Sequence, residues 1–457
     1  LFFFNVLEEL SHPGDWAFDR AAGMLYFWPP TPLDAGQAIV STLEAPLVDG
    51  RGVEHVRFER LIVECTRGDG VSLEGGRAVS LLGCTLRNIG RAAVRIVGGY
   101  DHHVTSCDIH HTGESGVDID AGDPVTLTPC NHHVHNCHLH HIAREGWTYF
   151  GALNFRGVGA VATHNRVHDH PHALAFFWGN EFRFEFNEFY NATLEGDDCG
   201  IMYMGRRFEW QGNVIRHNWF HHVGDSGRNE WGSSGVYMDD GAGGTEIRGN
   251  IFQLVNKGVL AGGGINTRVI NNIFLDCRPA VWFDERCASA RADRGETMIH
   301  GFMKEHFYAV NAHKPPYSDR YPLMDMVHDR LQRGVGIQSR NCAVTGNIIV
   351  GSGGRWLSTS WATLPDYFEC RDNLIEQDPH FVDQPFGDLS LRDDSPAYAS
   401  IGFEPIPFKR IGLVRDAYRT AIEDVRTAIE IIRPVGADGT PGVARLKLRN
   451  VGDVDVD

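Results

Sequence analysis

Gly70-Val71-Ser72-Leu73-Glu74 returns as Ala93-Val94-Arg95-Ile96-Val97 and again as Gly116-Val117-Asp118-Ile119-Asp120. Val71, Val94 and Val117 stand 23 residues apart. Each stretch alternates apolar and variable positions, the period-two signature of a short strand with one buried face. The pattern continues in Gly235-Val236-Tyr237-Met238-Asp239, Gly258-Val259-Leu260-Ala261-Gly262 and Ala280-Val281-Trp282-Phe283-Asp284. A fixed period of this length marks a stack of similar coils.

A second marker follows each strand. It reads Ser106-Cys107-Asp108, Asn136-Cys137-His138, Asn165-Arg166, Asn187-Glu188, Asn218-Trp219, Asn250-Ile251, Asn272-Ile273, Asn347-Ile348 and Asn373-Leu374. One asparagine per coil can spend its donors and its acceptor on turn backbone and on the asparagine of the next coil. Buried turn groups beyond the reach of water are satisfied in this way. Strand, turn and strand within roughly 22 to 32 residues predict an all-β chain, a right-handed parallel β-helix. A leucine-rich repeat would fix its leucines, and a propeller blade needs about 40 residues or more. Cys84, Cys107 and Cys137 are expected as stacked core residues in a column beside the ladder.

The chain has 457 residues, 52 of them glycine, and a net charge of -17. That charge disfavours nucleic acid and polyanionic partners, whose binding grooves are normally basic. No apolar run is long enough to span a membrane. The apolar start, Leu1-Phe2-Phe3-Phe4, lacks the flanks of a signal peptide and reads as a strand. The ten cysteines include no C-x-x-C pair, so no zinc site of that kind is expected. No metal or other cofactor is expected.

Residues 1–50 read as an N-terminal β segment, with a hairpin-like stretch ending at Pro29-Pro30. Residues 51–411 form the β-helix. An insert at about 290–340 carries helical patterning around Met298–Met303 and Met324–Leu331. Long insertions in a solenoid project from one face, often over the binding cleft. Residues 412–457 read as a terminal helix, Leu413 to Ile432, and a tail. A cap is expected because an open β-helix end exposes unpaired strand edges.

Chemistry on such a scaffold comes from outward side chains on neighbouring coils. Two acidic clusters stand out, Glu195-Gly196-Asp197-Asp198-Cys199-Gly200 and Tyr237-Met238-Asp239-Asp240-Gly241. Aligning Gly200 with Gly235 turns Asp198 and Asp239 outward and Ile201, Tyr203, Val236 and Met238 inward. Asp240 has inward parity unless Gly241 turns the chain. Asp198 and Asp239 then lie roughly 20 Å apart along a straight strand and converge only if the Asp197-Asp198 segment bends. Asp284 shares a column with Asp239 two coils on, at roughly 9.6 Å. Paired carboxylates are what glycoside hydrolysis uses, one as acid and one as base or nucleophile. Strand-ending turns also favour aspartate. Arg206, Glu230 and His172, with Asp240 and Asp284, are candidates to position a sugar. Trp178 and Trp282 are candidates to stack on it. The histidine doublets read as a stacked surface column, with His170 and His172 the best acid–base candidates among them.

The Asp198–Arg206 and Gly235–Gly241 segments resemble the β-helix domain of glycoside hydrolase family 141. So do Asn5–Leu10 with Pro13-Gly14-Asp15-Trp16, Leu25–Pro30, Pro315–Pro322 and Phe408–Leu413. The likeness covers most of residues 1–415. It implies a parallel β-helix, a carbohydrate substrate, α-L-fucosidase- or xylanase-like activity, and an aspartate pair falling on Asp198 and Asp239. The chain departs from the family by starting late and by adding a tail after about residue 420.

The first function is thus a glycoside hydrolase on a neutral or branched plant-type oligosaccharide or polysaccharide, extracellular or periplasmic, its signal peptide not in this chain. A polysaccharide lyase or uronate epimerase would need a cation against the uronate and a base, which the acidic centre disfavours. A non-catalytic carbohydrate-binding or adhesive β-helix would carry small, repetitive outward residues, unlike the irregular aromatic coils here.

Overall fold

The structure is a computed structural model. It describes residues 5–33, 39–223, 232–288, 295–360, 364–365, 367–422, 427–432 and 445–450. The chain divides into two units, residues 1–43 and 44–457. In the first, Trp16–Asp19 and Met24–Phe27 pair as an antiparallel hairpin. Asn5 brackets Phe18, donating to its carbonyl at 2.8 Å and accepting from its N–H.

The second unit is a right-handed parallel β-helix. Eleven coils stack into three parallel sheets of eleven strands each. Sheet 1 runs from Val48–Arg51 to Leu357–Thr359, sheet 2 from Arg57–Glu59 to Phe368–Arg371, and sheet 3 from Ile62–Thr66 to Leu374–Ile375. Coil 1 therefore begins before residue 50. Val71, Val94 and Val117 pair in register, as do Val236, Val259 and Val281. Their side chains point inward and, with Phe189, Phe220, Phe252 and Phe274 stacked 4.8–5.3 Å apart, fill the core.

The corner between sheets 2 and 3 shows why the ladder recurs. The backbone turns there through one left-handed residue per coil, such as Gly83, Ser106, Asn136, Phe186 and Gly249. The next residue is the ladder position. Asn187 accepts from the Asn165 N–H at 2.9 Å and donates to the Ala162 carbonyl at 3.0 Å, and Asn218, Asn250, Asn272 and Asn347 repeat this. Asn136 is not a rung. Register places Cys137 opposite Asn165, so Cys84, Cys107 and Cys137 occupy the ladder column itself rather than one beside it. Their thiols face the carbonyls of Phe58, Leu81 and Val104 at 3.4–3.6 Å, the same strand position that the asparagine amides reach in later coils. A thiol supplies one weak donor where asparagine supplies two and an acceptor. All ten cysteines are free.

The insert leaves sheet 1 after Asp284 and returns at Cys342. It carries helices Lys304–Ala309, Tyr317–Arg320 and Leu323–Arg333. Ile299, Met303, Phe307, Met324 and Val327 pack on Leu127, Val158, Phe208 and Ile265 at the corner between sheets 1 and 2. Tyr317 reaches the Pro124 carbonyl at 2.8 Å, and Arg320 pairs with Glu181 at 2.6 Å.

The C-terminal residues take a different form from the expected helix. No helix occupies the described part of Leu413–Ile432. Residues 404–419 instead run back along the corner as a strap. Glu404 meets Asn271, Val414 meets Asn136, and Arg419 meets Asp108. Thr427–Ile432 is a strand paired antiparallel with Arg445–Asn450. Alternating β-branched residues in Thr427–Ile432 suit a strand as well as a helix face. Phe381, Leu389, Phe403 and Phe408 cover the outward apolar row Trp219, Ile251, Ile273 and Ile348 of sheet 3.

Candidate active site

The site lies on the outward face of sheet 1 at coils 7 to 10. Its strands are Cys199–Gly205, Ser233–Asp239, Lys257–Gly262 and Val281–Asp284. Register pairs Met202 with Val236, Tyr203 with Tyr237, and Gly205 with Asp239. This is one residue away from the alignment of Gly200 with Gly235. A slip of one flips every side chain to the other face. Met202 and Met204 therefore point inward, and Tyr203 points outward beside Tyr237.

The two tyrosines cross-connect the two aspartates. Tyr203 donates to Asp239 Oδ2 at 3.0 Å, and Tyr237 donates to Asp198 Oδ1 at 3.0 Å. Their rings meet edge-on at 5.3 Å. Asp198 has the bent backbone that convergence requires, with φ of 55°. It is exposed, whereas Asp239 is buried. Asp197 beside it turns both carboxylate oxygens inward, where no donor among the described residues meets them.

Arg286, which the sequence did not single out, organises the other acids. Nε and Nη2 clamp Asp284 at 2.9 and 2.7 Å, and Nη1 reaches Asp239 at 2.8 Å and Asp240 at 3.5 Å. Asp284 does share the Asp239 column, with Gly262 between them. The missing side chain leaves room for the guanidinium, which would stand 3.0 Å from a Cβ at Gly262. Asp240 turns out of its inward parity through φ of 36°, followed by Gly241 at 79°. It accepts from Arg206 at 3.2 Å. Trp282 donates to Asp284 at 3.2 Å.

Burial pushes the Asp239 carboxyl above its usual range, Asp240 adds to the shift, and Arg286 and Tyr203 oppose it. Burial works against the charge of Arg286, but Asp284 and Asp239 outweigh it and raise its pKa. Burial and neighbouring acids raise both tyrosines, so they act as donors and not as phenolates.

Other candidates fall elsewhere. Trp178 lies on coil 6 with Arg156 4.7 Å over its ring. His172 stacks on Phe176, with the Tyr149 ring tilted against it at 5.2 Å; burial lowers its pKa to about 4, and neither aspartate bonds to it. His170 is buried, its Nε2 on the Phe150 carbonyl at 2.9 Å. Glu230 and Trp231 lie outside the described residues. The doublets form the stacked column, with His110, His140 and His168 at 5.0 and 5.3 Å, continued by Tyr190 and His221. Among the described residues no three His, Cys, Asp or Glu side chains group as metal ligands.

Sheets, corners and ladder define the class as a right-handed parallel β-helix protein. The family model for a right-handed β-helix region matches residues 69–274. No curated protein matches the chain. Among solved structures the chain is similar to a glycoside hydrolase at 14% identity and a TM-score of 0.42, over 91% of this chain and 61% of that one. It thus spans about three-fifths of that protein's length. It is also similar to a PL6 family polysaccharide lyase from Pseudopedobacter saltans, at 11% identity and a TM-score of 0.39, over 82% and 96% of the two chains. A PL6 alginate lyase in complex with a trisaccharide follows at 10% identity and 0.25, over 68% and 73%. At these values the likenesses assign no residue a role and choose between no two reactions.

Proposed function

We propose that the chain is a glycoside hydrolase acting on a neutral complex glycan, with Asp198 and Asp239 as its carboxylate pair. The observation that carries this reading is the tyrosine-crossed pair on adjacent coils. The motif resemblance to glycoside hydrolase family 141 falls on the same two segments and supports α-L-fucosidase- or xylanase-like chemistry. Burial and Asp240 suit Asp239 to give a proton to the leaving oxygen. Asp198, at the exposed edge, serves as base or nucleophile. Asp240, Asp284, Arg206 and Arg286 hold the geometry, and Trp282 lines the cleft.

A lyase or epimerase needs a cation against the uronate carboxylate. The two guanidinium groups nearest the pair, Arg206 and Arg286, are already engaged by aspartates. A polymeric substrate implies work in the extracellular space or periplasm. Among the described residues no helix is long and apolar enough to cross a membrane. The solenoid would be the catalytic domain, and residues 1–43 and 412–457 its appendages. A panel of neutral plant polysaccharides, assayed for new reducing ends and for unsaturated products absorbing in the ultraviolet, tests the reading. New reducing ends without unsaturation support it. Unsaturated ends overturn it.

A further inference from the structure

The turns that lead from sheet 3 into the sheet 1 strands of coils 5, 6 and 7 lie side by side. Tyr149 belongs to the first, His172 to the second and Gly196-Asp197-Asp198 to the third. His172 is the middle member. The Tyr149 ring is tilted against it at 5.2 Å, and a Cβ at Gly196 would stand 3.5 Å from its Cδ2. Tyr149 and Asp198 are therefore two coil spacings apart, roughly 10 Å.

Tyr149 is 58% exposed, yet the chain around it is pinned. Phe150 folds inward against the core, over Gly146, where an added Cβ would meet its ring at 2.3 Å. Its carbonyl accepts from Nε2 of the buried His170 at 2.9 Å. The Gly151 N–H donates to Asn154 at 3.1 Å, and Asn154 donates to Ser115 at 2.7 Å, both buried. Tyr149 itself has a left-handed φ of 63°, uncommon for a bulky residue and kept only where the surroundings enforce it.

The ring contacts decide which face is free. The centroids of Tyr149, His172 and Phe176 form a nearly equilateral triangle with sides of 5.2, 5.8 and 5.8 Å. Both neighbours thus approach the Tyr149 ring from one side, and its exposure lies on the other. Phe176 is buried and meets Tyr203, the donor to Asp239, at 6.0 Å. Burial raises the Tyr203 pKa and Asp239 adds to it; Tyr149 adds a smaller share, which puts its hydroxyl within electrostatic reach of that pair.

We infer that the exposed face of the Tyr149 ring is a distal subsite for one neutral sugar ring of a glycan chain cleaved at Asp198 and Asp239. The C–H face of the sugar stacks on the flat, rigidly held ring. At two coils from Asp198 the stacked sugar is not the one that reacts, so the subsite favours long chains over short ones. The coil 7 turn carries Glu195, Asp197 and Asp198, and a uronate beside it would meet like charge. Arg144 and Glu145, earlier in the Tyr149 turn, are of opposite sign. The inference rests on the hydrolase reading for the identity of the ligand, and its first test is binding.

The test uses the full chain carrying Asp239→Asn, titrated by calorimetry with xylobiose, xylohexaose, fucosylated xyloglucan oligosaccharides and oligogalacturonates. A long neutral probe should bind, and Tyr149→Ala should weaken it at least tenfold. Tyr149→Phe, which keeps the ring, should stay within threefold. Tyr100→Ala, at an exposed tyrosine on the far side of sheet 1, should stay within twofold. With Asp239 restored, Tyr149→Ala should raise KM for the long chain more than it lowers kcat and leave kcat/KM for the shortest cleaved substrate within twofold. Long-chain binding within threefold in Tyr149→Ala, equal losses on long and short substrates, binding of the oligogalacturonate alone, or no binding of any neutral probe overturns the subsite. Neutral binding that depends on Tyr149, in a protein that never cleaves the probe, sustains the subsite and overturns the hydrolase. Cleavage of long chains that depends on Asp239 but not on Tyr149 does the reverse.

Discussion

Arg286 reaches across a coil to bind Asp239 and Asp284 at once, at 2.8 and 2.7 Å, over the bare backbone of Gly262. A bidentate guanidinium fixes both distance and orientation of its carboxylates. The clamp sets the charge environment of Asp239 and is legible only once three coils are stacked.

The clamp makes opposite pH shifts testable. Arg286 holds the Asp239 pKa down, and Asp240 pushes it up. If Asp239 is the acid, its pKa sets the alkaline limb of the kcat/KM profile. Arg286→Gln should move that limb to higher pH and Asp240→Asn to lower pH. Gly262→Val, which crowds the guanidinium, should act in the direction of Arg286→Gln. Rate profiles on the cleaved glycan check all three.

The ladder predicts an asymmetry between rungs. Asn218 donates to the Phe184 carbonyl at 2.8 Å and accepts from the Asn187 N–H at 2.9 Å, all buried. Asn218→Ala leaves both groups unpaired, at about 1–3 kcal/mol each, and should lower Tm by several degrees. Cys137→Asn should be tolerated, because the Val104 carbonyl already accepts from the Cys137 thiol at that position. Thermal unfolding of the two variants compares them.

Glu209 gives a stability–pH prediction. It is buried under the insert, and burial raises its pKa from 4.5 to about 7 despite Arg207 at 3.3 Å. A carboxyl with a raised folded pKa binds its proton more tightly in the native state. Its contribution is therefore complete below about pH 4.5 and lost as pH rises through about 7. The loss is on the order of 3 kcal/mol. Glu209→Gln should flatten unfolding free energy over this window and stabilise the protein at pH 8.

The strap is held most tightly at Asp416, which accepts from Ser106, Asn136 and the N–H groups of Tyr418 and Arg419. Asp416→Ala should release residues 412–422 to limited proteolysis while the coils stay resistant. Mass spectrometry of the first cuts checks this.

Much of the scaffold was readable because period-two strands and one asparagine per coil repeat the same local physics. Asp198, Asp239, Asp284 and Asp240 were readable as acids on neighbouring coils. Tyr203 was misplaced because coil 7 and coil 8 differ in length, so matching glycines gave an offset one residue too long. The shared Tyr-Met of Tyr203-Met204 and Tyr237-Met238 was the better anchor. Arg286 was missed because two of its three aspartate partners, Asp240 and Asp239, lie on another coil, 46 and 47 residues away. Cys84 and Cys107 were read beside the ladder because their role is set by register and not by residue type. The terminal helix failed because Leu413–Arg419 gains more from corner bonds along the solenoid than from an isolated helix.

The aspartate pair is tested most directly by comparing hydrolysis by the native chain with Asp198→Asn and Asp239→Asn, each shown folded by circular dichroism. Loss of at least a thousandfold in kcat/KM for both variants, with thermal stability retained, is the predicted result. Retention of hydrolysis within tenfold by either variant would contradict the assignment.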